Sequence, residues 1–156
     1  MKTEVITKTK EETIAFAKRL TKYFFPGTVV TLNGDLGAGK TTFAKGVGLG
    51  LNIEEEINSP TFNILKCYFH EPLSLYHIDA YRLEDVPEAN KNIGLDEIIE
   101  GEGVCLIEWS HFIDEFINPE LTLDIKITID EEGNRKFELE SKNKEYLSLF
   151  EDLKNE

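Results

Sequence analysis

One glycine-rich stretch of the chain has the residue types and spacing needed to hold a phosphate group. Residues 34–42 read GDLGAGKTT, and the first eight satisfy the pattern G-x-x-x-x-G-K-[ST]. Glycines let backbone N–H groups turn toward phosphate oxygens, and a helix that begins there directs its positive dipole end at the same anion. The stretch predicts a mononucleotide site built from Gly34, Asp35, Leu36, Gly37, Ala38, Gly39, Lys40, Thr41 and Thr42.

The side chains of this loop favour ATP with Mg²⁺. Lys40 is expected to meet the β and γ phosphates, and the Thr41 hydroxyl is expected to join the coordination shell of Mg²⁺. Thr42, one residue further into the helix, is expected near the α phosphate. A GTPase would carry an N-K-x-D motif, but the nearest match, residues 90–93 (NKNI), lacks the aspartate. ATP is therefore the expected nucleotide.

Two other functions use the same loop and stay open. A small-molecule kinase suits the chain length, but such enzymes usually surround the transferred phosphoryl group with several arginines. This chain has only Arg19, Arg82 and Arg135, which disfavours a kinase without excluding it. The other alternative is a nucleotide-gated binding module with negligible turnover.

A second glycine-rich stretch, residues 46–50 (GVGLG), is similar to a dinucleotide-binding fingerprint. That fingerprint lies at a turn between a strand and a helix, whereas this stretch falls inside a predicted helix. Residue 51 is also Leu where the third glycine belongs. We expect these glycines to allow close helix packing and then to end the helix.

Two carboxylates stand at the ends of apolar strands, Asp79 in LYHIDAY and Glu108 in VCLIEW. Strand ends beside a phosphate-binding loop are where a second Mg²⁺ contact and a water-orienting group are needed. The sequence leaves open which acid orients the water. His77 could pair with Asp79 as a metal ligand, but no third ligand has a convincing spacing, so we expect a structural histidine.

These residues are positioned by strands interleaved with helices. Hydrophobic periodicity predicts a strand near 4–7, a helix over 14–24 that Pro26 and Gly27 end, a strand over 28–32 and a helix over 42–51. A hairpin (62–69 and 73–81), a short helix (94–100), a strand (103–109), a second hairpin (121–129 and 135–141) and a closing helix (143–153) follow. The order predicts one α/β domain over 1–156, with a mixed, mainly parallel sheet flanked by helices and extended by antiparallel hairpins.

The composition excludes some functions. The 156 residues carry 17 Lys and Arg against 30 Asp and Glu, for a net charge of −13, which argues against direct binding of nucleic acid. No signal peptide or membrane-spanning run is present, so we expect a cytoplasmic protein that does not bind a membrane. Cys67 and Cys105 match no paired zinc or redox spacing and are expected to be reduced core residues.

Four motifs together resemble the TsaE (YjeE) family, the ATPase component of bacterial tRNA threonylcarbamoyladenosine synthesis. They are the phosphate-binding loop, SPTF at 59–62, HIDAYRL at 77–83 and IEW at 107–109. The resemblance implies a P-loop NTPase fold that binds ATP with Mg²⁺ and hydrolyses it slowly. It also implies TsaB and TsaD as partners, which transfer the threonylcarbamoyl group to adenosine 37 of tRNAs that read codons beginning with A. The tRNA would be held by these partners.

The resemblance also implies roles for single residues. It makes Thr61 a switch-like residue near the γ phosphate and Mg²⁺, although Ser-Pro-Thr alone would suggest an ordinary turn. It makes Asp79 an essential acid beside Thr41 and the metal, and Glu108 the Walker B acid that holds Mg²⁺. Trp109 becomes a neighbour that shapes the site. The adenine of the nucleotide is expected to contact residues 9–12 and 133–135, with Lys10 and Arg135 as the contacting side chains. These two residues complete the predicted site.

Overall fold

A sheet with helices on both faces positions the predicted site. The computed structural model describes residues 1–35, 39–57, 64–84, 86 and 94–155. In these ranges the strands are β1 (Lys2–Thr7), β2 (Val29–Gly34), β3 (Leu65–Tyr68), β4 (Leu75–Asp79), β5 (Val104–Glu108), β6 (Leu123–Ile129) and β7 (Arg135–Ser141). The α-helices are α1 (Lys10–Leu20), α2 (Lys40–Gly50), α3 (Leu95–Ile99) and α4 (Leu147–Lys154). Short 3₁₀ segments cover Thr21–Tyr23, Ala80–Leu83, Ser110–Phe116 and Lys144–Tyr146.

The described strands form one sheet in the order β1-β7-β6-β2-β5-β4-β3. The four central strands, β6, β2, β5 and β4, are parallel to one another, whereas β3, β7 and β1 join the sheet antiparallel. The predicted α/β fold with a mixed sheet and two hairpins is confirmed. Because β2, β4 and β5 are parallel neighbours, their carboxyl ends meet at one edge of the sheet, where α/β proteins bind ligands.

Each face of the central sheet has its own hydrophobic core. Successive residues of β2, Val29 and Val30, belong to different cores, as alternation along a strand requires. One core lies under α1, α2 and α4, and the other lies under α3 and the Ser110–Phe116 segment. This double coverage explains why β2 and β5 read as continuous apolar runs.

Several predicted helix bounds were wrong. α1 begins at Lys10, where the Thr9 hydroxyl accepts from the N–H of Glu12, and it ends at Leu20 rather than Phe24. The Thr21 hydroxyl donates to the carbonyl of Lys18 at 2.6 Å, and the chain tightens into a 3₁₀ turn there. The closing helix is likewise a 3₁₀ turn followed by α4, and the Ser110–Phe116 segment was not predicted.

The glycines at 46–50 serve helix packing, as predicted. A Cβ atom on Gly46 would lie 2.6 Å from the Ala17 Cβ and from the Ile14 carbonyl oxygen of α1. Cβ atoms on Gly48 and Gly50 would overlap Ile57 and Thr21. The contact seats α1 against α2, which brings the amino end of α1 beside the start of α2.

The two cysteines differ from the prediction in one respect. Both are free thiols, but Cys67 is partly exposed on β3, at the edge of the sheet, and only Cys105 is buried in the core. Burial raises the pKa of the Cys105 thiol to about 12. In the described ranges, no helix has both the length and the apolar character needed to cross a bilayer.

Candidate functional site

The carboxyl ends of three parallel strands bring the predicted acids to the phosphate-binding loop. In the sheet register Asp79 of β4 is the partner of Glu108 of β5, and Glu108 is the partner of Leu32 of β2. β2 ends at Gly34, the first residue of the loop. Side chains at partnered positions of parallel strands point to the same face, so the two carboxylates lie side by side next to the loop.

The end of the loop has the backbone geometry that a phosphate site needs. Gly39 caps α2 with φ 105° and ψ 18°, a left-handed conformation that glycine adopts without strain. α2 begins at Lys40, two residues before the predicted start, so the first N–H groups of the helix face the loop. Three predicted loop residues, Leu36, Gly37 and Ala38, lie outside the described residues, as does Thr61.

Lys40 is buried and held between a carbonyl group and an aromatic ring. Its Nζ donates to the Gly34 carbonyl oxygen at 2.7 Å and lies 4.0 Å from the centre of the Trp109 ring. Burial lowers the pKa of Lys40, and the negative charges of Glu108, Asp79 and Asp35 oppose that change. One cation is therefore surrounded by the three acids of the strand ends and loop.

Asp79 is only partly exposed and is fixed by backbone contacts. Its Oδ1 accepts from the N–H of Tyr81 at 3.0 Å, which caps the 3₁₀ turn Ala80–Leu83. Its own N–H donates to the Ile64 carbonyl oxygen at 2.8 Å. Burial raises the pKa of the Asp79 carboxyl, while the Tyr81 N–H opposes that rise. The strand end thus holds a carboxylate whose charge is poorly solvated.

Glu108 has a partner that the sequence did not reveal. Its side chain is 5% exposed, and its Oε2 lies 2.5 Å from Nε2 of His77, whose side chain is 0% exposed. The only sequence signal was that His77 and Asp79 share one face of β4, next to the strand that carries Glu108. The described residues contain no group of three or more His, Cys, Asp or Glu side chains that could hold a metal ion.

Trp109 follows Glu108 directly and has a strained backbone. Its φ of 56° and ψ of 43° are rare for a bulky residue, and such conformations concentrate at functional sites. Its ring packs on Tyr81, with centroids 5.1 Å apart, and on Phe112 at 6.4 Å. The next residue, Ser110, is joined to Asn33 of β2 by two hydrogen bonds of 3.0 and 3.1 Å, which pin the turn beside the loop.

These elements enclose a cleft of about 510 Å³ at the start of α2. The predicted residues that line it are Lys10, Gly39, Lys40, Thr41, Thr42, Asp79, Glu108, Trp109 and Arg135. Four further residues of its lining are Lys8, Thr9, Thr13 and Gly133, of which Lys8 and Thr13 lie outside the segments that the sequence indicated. The remaining described loop residues, Gly34 and Asp35, line an adjoining cavity that shares Trp109 with the cleft.

Arg135 lies beside the last glycine of the loop. Its Nε is 3.5 Å from the position that a Cβ on Gly39 would occupy, and its Nη1 donates to the Gly133 carbonyl oxygen at 2.9 Å. The second hairpin therefore delivers a guanidinium to the amino end of α2. A Cβ at residue 39 would make only an ordinary van der Waals contact with it, so the left-handed backbone is the reason for glycine there.

The residues present fit a nucleotide with a divalent cation. Four cationic side chains, Lys8, Lys10, Lys40 and Arg135, line the cleft of a chain whose net charge is −13, and they suit a polyphosphate. The Thr41 hydroxyl and the carboxylates of Asp79 and Glu108 are oxygen ligands of the kind that Mg²⁺ prefers. The cleft volume is also that of a small-molecule site.

Known proteins are similar to this chain over a range that includes every residue lining the cleft. The family model described as "Threonylcarbamoyl adenosine biosynthesis protein TsaE" matches residues 7–137. Proteins named tRNA threonylcarbamoyladenosine biosynthesis protein TsaE from Bacillus subtilis and Treponema pallidum are 47% and 41% identical over 143 and 131 residues. These matches cover 92% and 84% of this chain and 88% and 95% of the relatives. The crystal structure of Bacillus subtilis YdiB matches with a TM-score of 0.83 and 38% identity, over 99% of this chain and 95% of that chain.

Proposed function

Because the chain belongs to the TsaE family, we propose that it binds ATP with Mg²⁺ and hydrolyses it slowly in support of tRNA threonylcarbamoylation. The modified nucleoside is adenosine 37 of tRNAs that read ANN codons, and the proposed protein partners are TsaB and TsaD. The observation that carries the proposal is the cleft at the start of α2, which four cations and two strand-end carboxylates share. The proposed place of action is the cytoplasm.

The cationic residues bind the polyphosphate. The N–H groups at the start of α2 and the helix dipole attract the phosphate oxygens, and Lys40 adds a full charge at the same place. Arg135, beside Gly39, supplies a second charge near the end of the loop. Lys8 and Lys10 extend the positive wall toward α1, whose amino end would meet the nucleoside.

The carboxylates serve the hydrolytic step. When bound, Mg²⁺ neutralises charge on the β and γ phosphates, and the residues that would hold it are Thr41 and Glu108. Asp79 and Glu108 are hydrogen-bond acceptors that can orient a water molecule toward the γ phosphate. Lys40, itself buried, stabilises the negative charge that develops on the phosphate oxygens.

Charge supports an indirect relation to tRNA. A net charge of −13 repels a polyanion, so the partners are proposed to hold the tRNA while this chain contacts them. With no phosphoryl acceptor other than water, the reaction is hydrolysis, and we propose that it resets the partner complex. A small-molecule kinase would need an acceptor and is the alternative that the experiment must separate.

The test is phosphate release from ATP by the purified protein, alone and with purified TsaB and TsaD. We expect slow release from the protein alone and a clear rise when both partners are present. ADP formation that does not respond to the partners but rises with a small-molecule acceptor, with the γ phosphate found on the acceptor and not as free phosphate, would replace this proposal by a kinase. Partner binding that needs ATP, with no phosphate release above background from the wild-type protein even when both partners are present, would instead indicate a nucleotide-gated binding module.

A further inference from the structure

A fully buried histidine contacts the carboxylate that the proposed function places at the metal. His77 lies on β4, two residues before Asp79, and its Nε2 is 2.5 Å from Oε2 of Glu108 on the neighbouring strand. Within the described residues, His77 is not part of the lining of the cleft, whereas Glu108 is. The imidazole therefore touches Glu108 from the side that faces the protein interior.

The direction of this hydrogen bond follows from its chemistry. A carboxylate can only accept hydrogen bonds, so Nε2 of His77 carries the hydrogen and donates it. Nδ1 of the same ring is buried, and no hydrogen-bond partner for it exists among the described residues. Buried polar atoms are rarely left unpaired, and an apolar side chain would avoid this cost. The bond to Glu108 is thus the contact that explains a histidine at this position.

We propose that His77 is a positioning residue, whose Nε2–H fixes one oxygen of Glu108 and leaves the other oxygen directed to the nucleotide cleft. This inference rests on the proposed ATPase function. The arrangement matches the physical need of the site, because a carboxylate that must meet a metal or a water has to be held in one rotamer. The rigid pairing of β4 with β5 sets the distance between the two side chains.

Three substitutions separate positioning from simple core packing. His77→Gln places an amide N–H near the Nε2 position and keeps a donor for Glu108. His77→Asn carries the same amide on a shorter side chain, so its donor lies near the Nδ1 position and does not reach Glu108. His77→Leu fills similar space without any donor. The Gln and Asn variants are therefore a matched pair that differs mainly in reach.

We expect the Asn and Leu variants to lose about 10- to 100-fold in kcat in the presence of TsaB and TsaD, as is usual when a group that orients a metal ligand is removed. Their ATP affinity should stay near that of the wild type, because His77 does not line the cleft. The Gln variant should retain kcat within a few-fold. In the Asn and Leu variants, the Mg²⁺ concentration needed for the fluorescence response of Trp109 to ATP should rise. Equal kcat in all three, or losses in all three that follow their Tm values, would overturn the proposal.

A second measurement needs neither ATP nor turnover. Nitrogen NMR of the imidazole in the ligand-free wild-type protein should show a hydrogen on Nε2 of His77, and its resonance should shift in a Glu108→Gln variant. A neutral ring with its hydrogen on Nδ1 would overturn the proposal even if the variants fail to fold. If the wild-type protein shows no hydrolysis with its partners, the proposed function fails, while this spectrum still decides the contact.

Discussion

Lys40 is the residue on which the proposed nucleotide binding is expected to depend most. It is 7% exposed, and its Nζ contacts the Gly34 carbonyl oxygen and the face of Trp109. Burial alone disfavours the ammonium form, so the carboxylates of Glu108, Asp79 and Asp35 are what favour its charge. In the proposed function these acids therefore have two roles, because they favour the charged form of Lys40 and supply oxygens for the metal and the water.

Replacement of Lys40 by Ala should weaken ATP binding by about 10- to 100-fold, the loss expected for a hydrogen bond to a charged group. Isothermal titration calorimetry measures this directly, since the fluorescence of Trp109 will change with the loss of its neighbour. Lys45→Ala is the control, because Lys45 lies on the same helix with an exposed side chain paired to Glu56. An unchanged affinity of Lys40→Ala for ATP would show that the loop does not bind the phosphates as proposed.

Replacement of Glu108 by Gln should leave ATP binding largely intact and lower phosphate release by about 100- to 10,000-fold, the range for loss of a positioned acid or base. The side chains have the same shape, so the fold should persist. Glu102→Gln is the control, since Glu102 is exposed just before the amino end of the same strand. Normal turnover in Glu108→Gln would assign the catalytic work to Asp79 alone.

At the scale of elements, local patterns predicted most of what positions the site. The sequence predicted the loop, the strand that precedes it, the strands that carry the two acids, and the two hairpins. Each of these depends on residues that are near one another in the chain. The sequence did not predict the contact of His77 with Glu108 or that of Asn33 with Ser110, because these contacts depend on the register between separate strands. The left-handed backbone of Trp109 was hidden for a similar reason, since its packing partners and not its residue type impose it.

The contact between α1 and α2 gives a prediction at this scale. Alanine normally favours a helix over glycine by about 1 kcal/mol. In Gly46→Ala, however, the new Cβ would overlap Ala17 and the Ile14 backbone of α1, so we expect a net loss of about 1–3 kcal/mol in the free energy of unfolding. Urea unfolding measures it, with Leu49→Ala on the exposed side of α2 as the control. A stabilised Gly46→Ala variant would show that the helices can separate at little cost.

The turn before α4 gives a prediction about pH. Tyr146 is fully buried, and burial raises the pKa of its phenol from 10.0 to about 12. Above the unfolded value the phenol ionises in the unfolded chain but not in the folded protein, so its contribution to stability is full below about pH 10 and is lost as the pH rises toward 12. Cys105, whose pKa is also about 12, adds a loss of the same sign.

Tyr146→Phe removes the part of this loss that belongs to the phenol. We expect the free energy of unfolding to fall less between about pH 8 and pH 11 in Tyr146→Phe than in the wild type, as urea unfolding at both values would show. The remaining fall in the variant is assigned to Cys105 and other groups. An equal fall in both proteins would mean that the hydroxyl of Tyr146 reaches water in the folded state.

At the scale of the whole molecule, the distribution of charge agrees with the proposed indirect role in tRNA modification. Acidic residues outnumber basic ones 30 to 17, yet four cations face the cleft together. Cations outnumber carboxylates in the lining of this cleft, whereas carboxylates outnumber cations in the chain as a whole. A protein built this way can hold a small polyanion in its cleft and still repel a large one.

The isolated protein should bind tRNA more weakly than about 10⁻⁴ M, because even non-specific binding at 10⁻⁴–10⁻⁶ M needs Lys and Arg that displace counterions from phosphates. Fluorescence anisotropy with labelled tRNA, at low and at physiological salt, measures this. The protein should enter a tRNA-containing complex only when TsaB and TsaD are present. Micromolar binding by the protein alone, weakening steeply as salt is added, would reveal a basic surface for RNA and would contradict an indirect role.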